Sequence, residues 1–412
     1  MELPWSSQGY NPSAMTAPEK PRLPRNVWTL GCLSFLTDLG GESVFPLLPV
    51  YLAGLGAGPR FLGLVEGVAD GLSSALGVIS GRISDRRGRR KGLTVFGYSL
   101  SGAVRPLLAF ATSPWQVLAV RWLDRTGKGI RNAPRDALIA DSTPKAIWGR
   151  AFGMQKAMDH LGATLGPLIV WFLMRPEGLG VSLATVFLLA AVPGILTLLV
   201  GIFGVKEAPA IMKPKERADW SKAGKFTPAF RGYLLLVFCF GLGLSSDAFL
   251  LTRAREVGVP LAQLPLMWAA FSGLKSLCSV PAGYLADRMS RKRLLIVGWL
   301  VYAATYSAFA RVSSPGAMWG IFCAYALFSG LTEGTERALV SDLVGQDVRA
   351  TAFGAFQLMT GVSTLLASLL CGAIWHWQGP GMAFGLAAML AAAGSLGLAF
   401  LKLPAPANTS GV

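Results

Sequence analysis

The chain of 412 residues is poor in charged side chains and has only two histidines. Asp, Glu, Lys and Arg make up 15% of it, whereas a soluble domain carries about 25%. Its five cysteines contain no CxxC pair, so the sequence indicates neither a disulfide framework nor a zinc site. The GxxxxGK[ST] nucleotide-binding pattern is also missing. From these absences we expect that the protein binds no metal or cofactor, is not driven by ATP and is not an enzyme.

Apolar stretches near 20 residues long are abundant, and hydrophobic residues form 52% of the chain. A helix of that length crosses the hydrocarbon core of a bilayer, which is about 30 Å thick. We predict twelve such spans, at 27–53, 61–82, 93–112, 115–139, 151–175, 180–204, 232–253, 263–285, 294–312, 317–340, 352–375 and 381–402.

The chain also resembles itself. PRDALIAD at 134–141 aligns with TERALVSD at 335–342, a shift of 201 residues (342 minus 141). At the same shift, AFG at 151–153 meets AFG at 352–354. Two similar membrane halves are typical of secondary transporters, in which the binding site lies at the seam between the halves.

The net charge of +16 would suggest nucleic acid in a soluble protein, but here the basic residues lie in short loops between apolar spans. By the positive-inside rule these loops are cytoplasmic, as are both termini, and we expect no nucleic-acid partner. The expected location is the plasma (bacterial inner) membrane. The predicted organisation is a polar cytoplasmic tail (1–26), a six-helix bundle (27–204), a cytoplasmic linker with a short amphipathic helix (205–231), a second bundle (232–402) and a cytoplasmic tail (403–412).

The loop GRISDRRGRRK at 81–91 resembles motif A of the Major Facilitator Superfamily, and GYLADRMSRK at 283–292 is a degenerate second copy. The resemblance extends over residues 27–402. It implies an all-α membrane protein with twelve transmembrane helices in two pseudo-symmetric six-helix bundles. In this motif the glycine allows close helix packing, the aspartate can cap a helix, and the arginines can pair with a carboxylate ending the fourth span. We interpret the following residues as a conformational latch: Gly81, Asp85, Arg86, Arg90, Asp141, Asp287, Arg288 and Asp342.

The fourth span, RWLDRTGKG at 121–129, resembles motif B of the same family, and Arg121 stands where the family has an arginine linked to proton coupling. Arg125, Lys128 and Arg135 lie on the same helical face. Because a charge at the bilayer centre costs about 2.5–3.5 kcal/mol on insertion scales, this face must meet water or ionic partners. Two explanations remain open. The face forms a basic cavity wall for an anionic group, or it forms an ion-pair network with Asp38, Glu42, Glu66, Asp70 and Asp159.

The fifth span contains GATLGP at 162–167, which resembles the antiporter signature motif C. Small residues four apart permit close helix packing, and a proline bends a helix. Antiporters of the superfamily often carry a protonatable acid on the first span, where Asp38 and Glu42 lie four residues apart. The candidates are Arg125, Lys128, Arg131, Arg135, Lys275 and Glu333 for substrate binding; Asp38, Glu42, Arg121 and Asp159 for proton coupling; and Gly162, Gly166 and Pro167 for helix packing.

These patterns favour a secondary transporter that works by alternating access, with proton-coupled efflux of a small organic anion or of an amphipathic metabolite or drug. Proton-driven uptake of an anionic substrate, such as a carboxylate, a sugar phosphate or a metal chelate, is the alternative. A further alternative with less support is export of a metal cation through the acids of the first two spans, Asp38, Glu42, Glu66 and Asp70. The expected partners are a small-molecule substrate, protons and the lipid bilayer, and the protein is expected to act as a monomer.

Overall fold

The computed structural model describes residues 22–402 except 145–146, 176, 209–223, 225 and 346–347. All regular structure in these residues is helical. The helices are α1 (Arg25–Val44), α2 (Leu48–Gly54), α3 (Pro59–Arg87), α4 (Lys91–Val104), α5 (Pro114–Asp141), α6 (Trp148–Met174), α7 (Leu183–Leu189), α8 (Ala191–Leu199), α9 (Pro228–Gly241), α10 (Ala248–Glu256), α11 (Gln263–Arg288), α12 (Arg291–Arg311), α13 (Pro315–Leu343), α14 (Arg349–Gln378) and α15 (Pro380–Phe400). Short 3-10 helices follow α1 and α4, and a π-helical turn follows α8.

Helical segments lie at all twelve predicted spans within the described part of the chain, so the all-α prediction is confirmed. Seven helices among these residues are long and apolar enough to cross a membrane. Two other spans are interrupted. A 3-10 turn separates α1 from α2, and residues 242–247 separate α9 from α10. The predicted amphipathic helix of the linker and most of both predicted tails lie outside the described residues.

In the first half, α1 packs along α6, and α5 packs against both α3 and α4. The α1–α6 contact depends on the glycines predicted from motif C. A Cβ atom at Gly162 or Gly166 would collide with the carbonyl oxygen of Phe35 or Leu39, respectively. Pro167 follows directly, inside α6. A Cβ at Gly81 of α3 would lie 3.2 Å from Ala133 on α5, which agrees with the close approach expected there.

In the second half, α12 packs between α13 and α15, and α11 packs against α13. The core of this half is aromatic. The rings of Tyr302 and Tyr306 stack with their centroids 4.0 Å apart, and those of Phe240 and Trp299 stack at 4.3 Å. Aromatic rings bury large areas and hold specific geometries, so these stacked rings stabilise the core of the second half.

The two halves meet along two pairs of long helices, α3 with α14 and α6 with α11. The first pair is close enough that a Cβ at Gly63 would collide with the Ser368 carbonyl oxygen, and one at Gly67 would lie 2.9 Å from the Leu365 carbonyl oxygen. Small residues let helix backbones approach in this way inside membranes. The helix α2 also contacts α10 across the seam.

Candidate functional site

The interruption of the seventh span brings polar groups to the seam. Between α9 and α10, residues 242–247 leave the helix, and their backbone groups need partners because hydrocarbon offers none. The Tyr302 hydroxyl donates to the Gly243 carbonyl oxygen at 2.6 Å, and the Ser246 amide donates to Ser368 Oγ at 3.2 Å. Irregular backbone at membrane depth is tolerated where it is buried in protein or lines a cavity, and this segment lines one.

The cavity lies between the halves and has a volume of about 300 Å³, at the lower end of ligand pockets. The first half contributes Glu42, Phe45, Asp70, Arg125 and Lys128; the second contributes Leu244, Ser245, Ser246, Asp247, Trp268, Tyr325, Phe328, Ser329 and Thr364. Three carboxylates and two cations therefore face this space. The wall carries both signs of charge, where the sequence suggested a basic face.

Arg121 forms a two-pronged ion pair with Glu66 of α3. Its Nε and Nη2 atoms donate to Oε1 and Oε2 of Glu66, each at 2.8 Å. The side chain of Arg121 is 10% exposed and that of Glu66 is fully buried. Ser246 of the second half donates its hydroxyl to Glu66 at 3.3 Å. Arg121, the arginine of the motif B-like sequence, is thus part of a buried bridge that reaches the seam.

Asp124 of α5 forms an ion pair with a second arginine, Arg105, which was not among the residues singled out from the sequence. Arg105 donates from Nε to Asp124 Oδ1 at 3.0 Å and from Nη1 to the Thr37 carbonyl oxygen at 2.5 Å. Arg121 Nη1 lies 3.6 Å from the other oxygen of Asp124. An arginine inside the third predicted span was the available signal, since such a charge needs a partner in the membrane. Together with the bridge between Arg121 and Glu66, these contacts make an ion-pair network, although neither Arg105 nor Asp124 was among the partners expected for the fourth span.

Arg125 and Lys128 line the cavity and have looser partners. Arg125 Nε lies 3.7 Å from Asp70 Oδ1, which is too far for a hydrogen bond, and this buried atom has no hydrogen-bond partner. Lys128 is attracted electrostatically by Asp38 and Glu42. Two basic side chains of α5 are therefore available to a solute in the cavity.

Glu42 connects the halves through Trp268, a residue that carried no recognisable signal in the sequence. The Trp268 indole donates to Glu42 Oε2 at 2.7 Å. Asp38 lies one turn earlier on α1, outside the residues that line the cavity, and interacts electrostatically with Asp159 and Glu42. Among the proton-coupling candidates, only Glu42 faces the cavity directly.

The remaining basic residues of α5 lie away from the cavity. Arg131 donates to Ser101 Oγ at 2.8 Å, and its guanidinium lies 4.7 Å from the centre of the Tyr98 ring. Arg135 forms an ion pair with Asp136 at 2.9 Å. Both residues belong to the interior of the first half.

Glu333 pairs with Lys275 within the second half and with Lys156 across the seam, although none of the three lines the cavity. Glu333 of α13 lies 3.1 Å from the Lys275 ammonium on α11 and 3.4 Å from the Lys156 ammonium on α6. Lys156 belongs to the first half, so its ion pair with Glu333 joins the two bundles. Among the described residues, no group of three or more His, Cys, Asp or Glu side chains is placed to hold a metal ion.

The motif A region contains the expected ion pair. Arg90 Nε lies 2.7 Å from Asp141 Oδ2, and both side chains are buried. Asp85 lies 3.8 Å from the same guanidinium, and Arg86 is exposed at the end of α3. The first amides of α4 are capped by Glu207, which accepts from the Arg90 amide at 2.9 Å.

The second half repeats this pair at the same shift. Arg291 contacts Asp342, and both partners lie 201 residues beyond Arg90 and Asp141 (291 minus 90; 342 minus 141). The second pair is more exposed, at 34% and 38%. The predicted latch residues Asp287 and Arg288 have side chains outside the described residues.

Two helical halves, pseudo-symmetric ion pairs and a charged cavity at the seam define a membrane transport protein. The Major Facilitator Superfamily profile matches residues 30–255 and 233–411, and the chain belongs to this superfamily. An uncharacterized MFS-type transporter of Methanocaldococcus jannaschii is 34% identical, over 92% of this chain and 95% of its own. The multidrug resistance protein MdtG of Serratia proteamaculans is 29% identical, over 73% of this chain and 74% of its own. The crystal structure of the nucleoside transporter NupG superposes with a TM-score of 0.75 at 14% identity, over 91% of this chain and 98% of that one. The resemblance seen in motif A is therefore confirmed.

Proposed function

We propose that this transporter exports a small amphipathic organic solute that carries an anionic group, and that export is coupled to protons. The observation that carries the proposal is the Arg125 guanidinium. It faces the seam cavity, and its buried Nε donor lacks a hydrogen-bond partner. Export as the direction is supported by similarity to proteins named for multidrug resistance. The protein would act as a monomer in the plasma membrane, with the loops at 86–91 and 288–293 on the cytoplasmic side.

Arg125 and Lys128 together form the anion-binding part of the site. An ionised acceptor forms shorter and stronger hydrogen bonds to a guanidinium than a neutral one does. Asp70, at 3.7 Å, balances the arginine charge without occupying Nε. The apolar part of the solute would contact Phe45, Trp268 and Phe328 on the cavity wall.

The proton would be carried by Glu42 or Asp38. Glu42 faces the cavity and bonds to Trp268 of the other half, so its charge state affects both the solute and the seam. Arg121 would position the network beside them through its bridge to Glu66. The ion pair of Arg90 and Asp141, with its counterpart at Arg291 and Asp342, would act as the conformational latch.

Proton-driven uptake is the second candidate, and one observation favours it. Lys128 is repelled by Arg125 and attracted by Asp38 and Glu42, so a proton on either acid would weaken the attraction that competes with an anion at its ammonium. Proton and solute would then bind together, whereas export by exchange requires that each displaces the other. The sign of the proton change on solute binding distinguishes the two.

The test uses the purified full chain in proteoliposomes with an imposed pH gradient, and 3-phenylpropionate and indole-3-propionate as probes. We expect Arg125→Gln to abolish gradient-driven flux and Arg135→Gln to retain it, because Arg135 lies on the same helix but away from the cavity. A pH indicator in weak buffer reports proton release for exchange and proton uptake for symport. Equal flux in the two arginine variants would contradict the proposal.

A further inference from the structure

Of the residues that the structure describes, those of the first half contribute charges of both signs to the cavity, whereas the second half contributes one charged group, the carboxylate of Asp247. On the first half, Arg125 Nε lies 3.7 Å from Asp70 Oδ1, and Asp38 and Glu42 attract the Lys128 ammonium electrostatically. On the second half, Asp247 lines the cavity with the Tyr325 hydroxyl as its donor, at 2.8 Å. Within the described part of the chain, no cation forms an ion pair with Asp247. The second half thus presents a carboxylate whose charge is not neutralised by direct contact.

The charges around Asp247 increase its negative potential. Glu42 and Asp70, on the opposite wall of the cavity, are carboxylates that act on it electrostatically. Lys275 acts in the opposite sense, but its ammonium is already 3.1 Å from its partner Glu333. Asp247 is partly buried, and a partly buried carboxylate attracts a cation more strongly than a fully exposed one does.

Aromatic rings line the same cavity as this carboxylate. The Tyr325 ring stacks on Phe271 with centroids 5.3 Å apart, and Phe328 and Trp268 line the same cavity. The face of an aromatic ring attracts an ammonium group within about 6 Å. A carboxylate among such rings is a favourable environment for an organic amine.

We propose that the transported solute is a zwitterion, with its anionic group at Arg125 on the first half and an ammonium group at Asp247 on the second. This inference rests on the proposed function and adds the second charge of the substrate. Because the two charges bind opposite halves, the solute keeps both contacts only in conformations in which Arg125 and Asp247 line one cavity, as they do here. Such a differential contact is what a ligand needs to shift a conformational equilibrium. The ammonium would also replace a proton on the acids of the cavity, as exchange requires.

The test measures binding of matched probes to the purified full chain in nanodiscs. The two sets are phenylalanine, 3-phenylpropionate and phenethylamine, and tryptophan, indole-3-propionate and tryptamine. In at least one set we expect the amino acid to bind at least about tenfold more tightly than either singly charged probe, which corresponds to one charge-assisted hydrogen bond.

Asp247→Asn separates the inference from the proposed function. The amide still accepts from Tyr325, so the cavity keeps its shape, and we expect this variant to lose the preference for the amino acids while binding the carboxylates as before. Asp136→Asn is the control, because Asp136 is a half-exposed acid away from the cavity. If the carboxylates bind as tightly as the amino acids, or if Asp247→Asn keeps the preference, the zwitterion inference is wrong and the proposed function stands. If no probe binds, both are overturned.

Discussion

The buried bridge between Arg121 and Glu66 allows a quantitative test of the ion-pair network. Glu66→Gln keeps the size of the side chain and one acceptor oxygen but removes the negative charge. In the variant, Arg121 keeps Asp124 as an ionic partner, with Oδ2 3.6 Å from Nη1. It loses the Glu66 carboxylate, to which it donates two hydrogen bonds of 2.8 Å in the wild type. Removing one member of a buried ion pair leaves an uncompensated charge and costs about 3–5 kcal/mol. We expect a loss of that size in the free energy of unfolding.

The matched control is Glu256→Gln. Glu256 pairs with Arg253 at 3.2 Å, but its side chain is 39% exposed. Exposed pairs contribute about 0.2–1 kcal/mol, so the same chemical change should have a small effect there. Unfolding in detergent, followed by the fluorescence of the twelve tryptophans, provides the midpoints for both variants.

A double-mutant cycle shows whether the two charges act together. Arg121→Gln combined with Glu66→Gln removes both charges, so the double variant should be more stable than the sum of the single effects predicts, by about 0.5–3 kcal/mol. If Glu66→Gln unfolds at the same midpoint as Glu256→Gln, or if the single effects simply add, the bridge does not stabilise the fold as argued.

Two further predictions concern helix packing and the two ion pairs that are related by the repeat. Gly162→Ala should lower the free energy of unfolding by about 1–3 kcal/mol, as overpacking typically does, because the added Cβ would meet the Phe35 carbonyl oxygen. Gly153→Ala should leave it unchanged, because Gly153 lies on the same helix and no atom lies within 4 Å of the added Cβ. Equal midpoints for the two would contradict the close α1–α6 contact. Asp141→Asn should reduce stability more than Asp342→Asn, since the first pair is buried and the second about one-third exposed. Thermal unfolding of both variants measures the difference, and the reverse order would refute it.

The sequence alone determined the helices and their repetition. Hydrocarbon leaves no partner for free backbone groups, so an apolar stretch that spans the membrane is helical except where other helices satisfy its backbone. The sequence also predicted an ion pair between the motif A loop and Asp141, and Arg90 forms that pair between neighbouring helices of the first half. The predicted acid partners of the fourth span included Glu66 and Asp70, which do contact Arg121 and Arg125.

Only the tertiary structure decided which charges face the cavity. Of the six substrate-binding candidates, Arg125 and Lys128 line it, while Arg131 and Arg135 point into their own half, although all four lie on one helix. Helical spacing defines a face, but what that face meets depends on helices far away in the chain.

The same reason applies to the contacts between the halves. Trp268 reaches Glu42 over 226 residues of sequence, and Ser246 reaches Glu66 over 180. The interruption at residues 242–247 is stabilised by Tyr302 and Ser368, which come from other helices. No local pattern encodes these contacts, because they exist only once the two bundles have packed against each other.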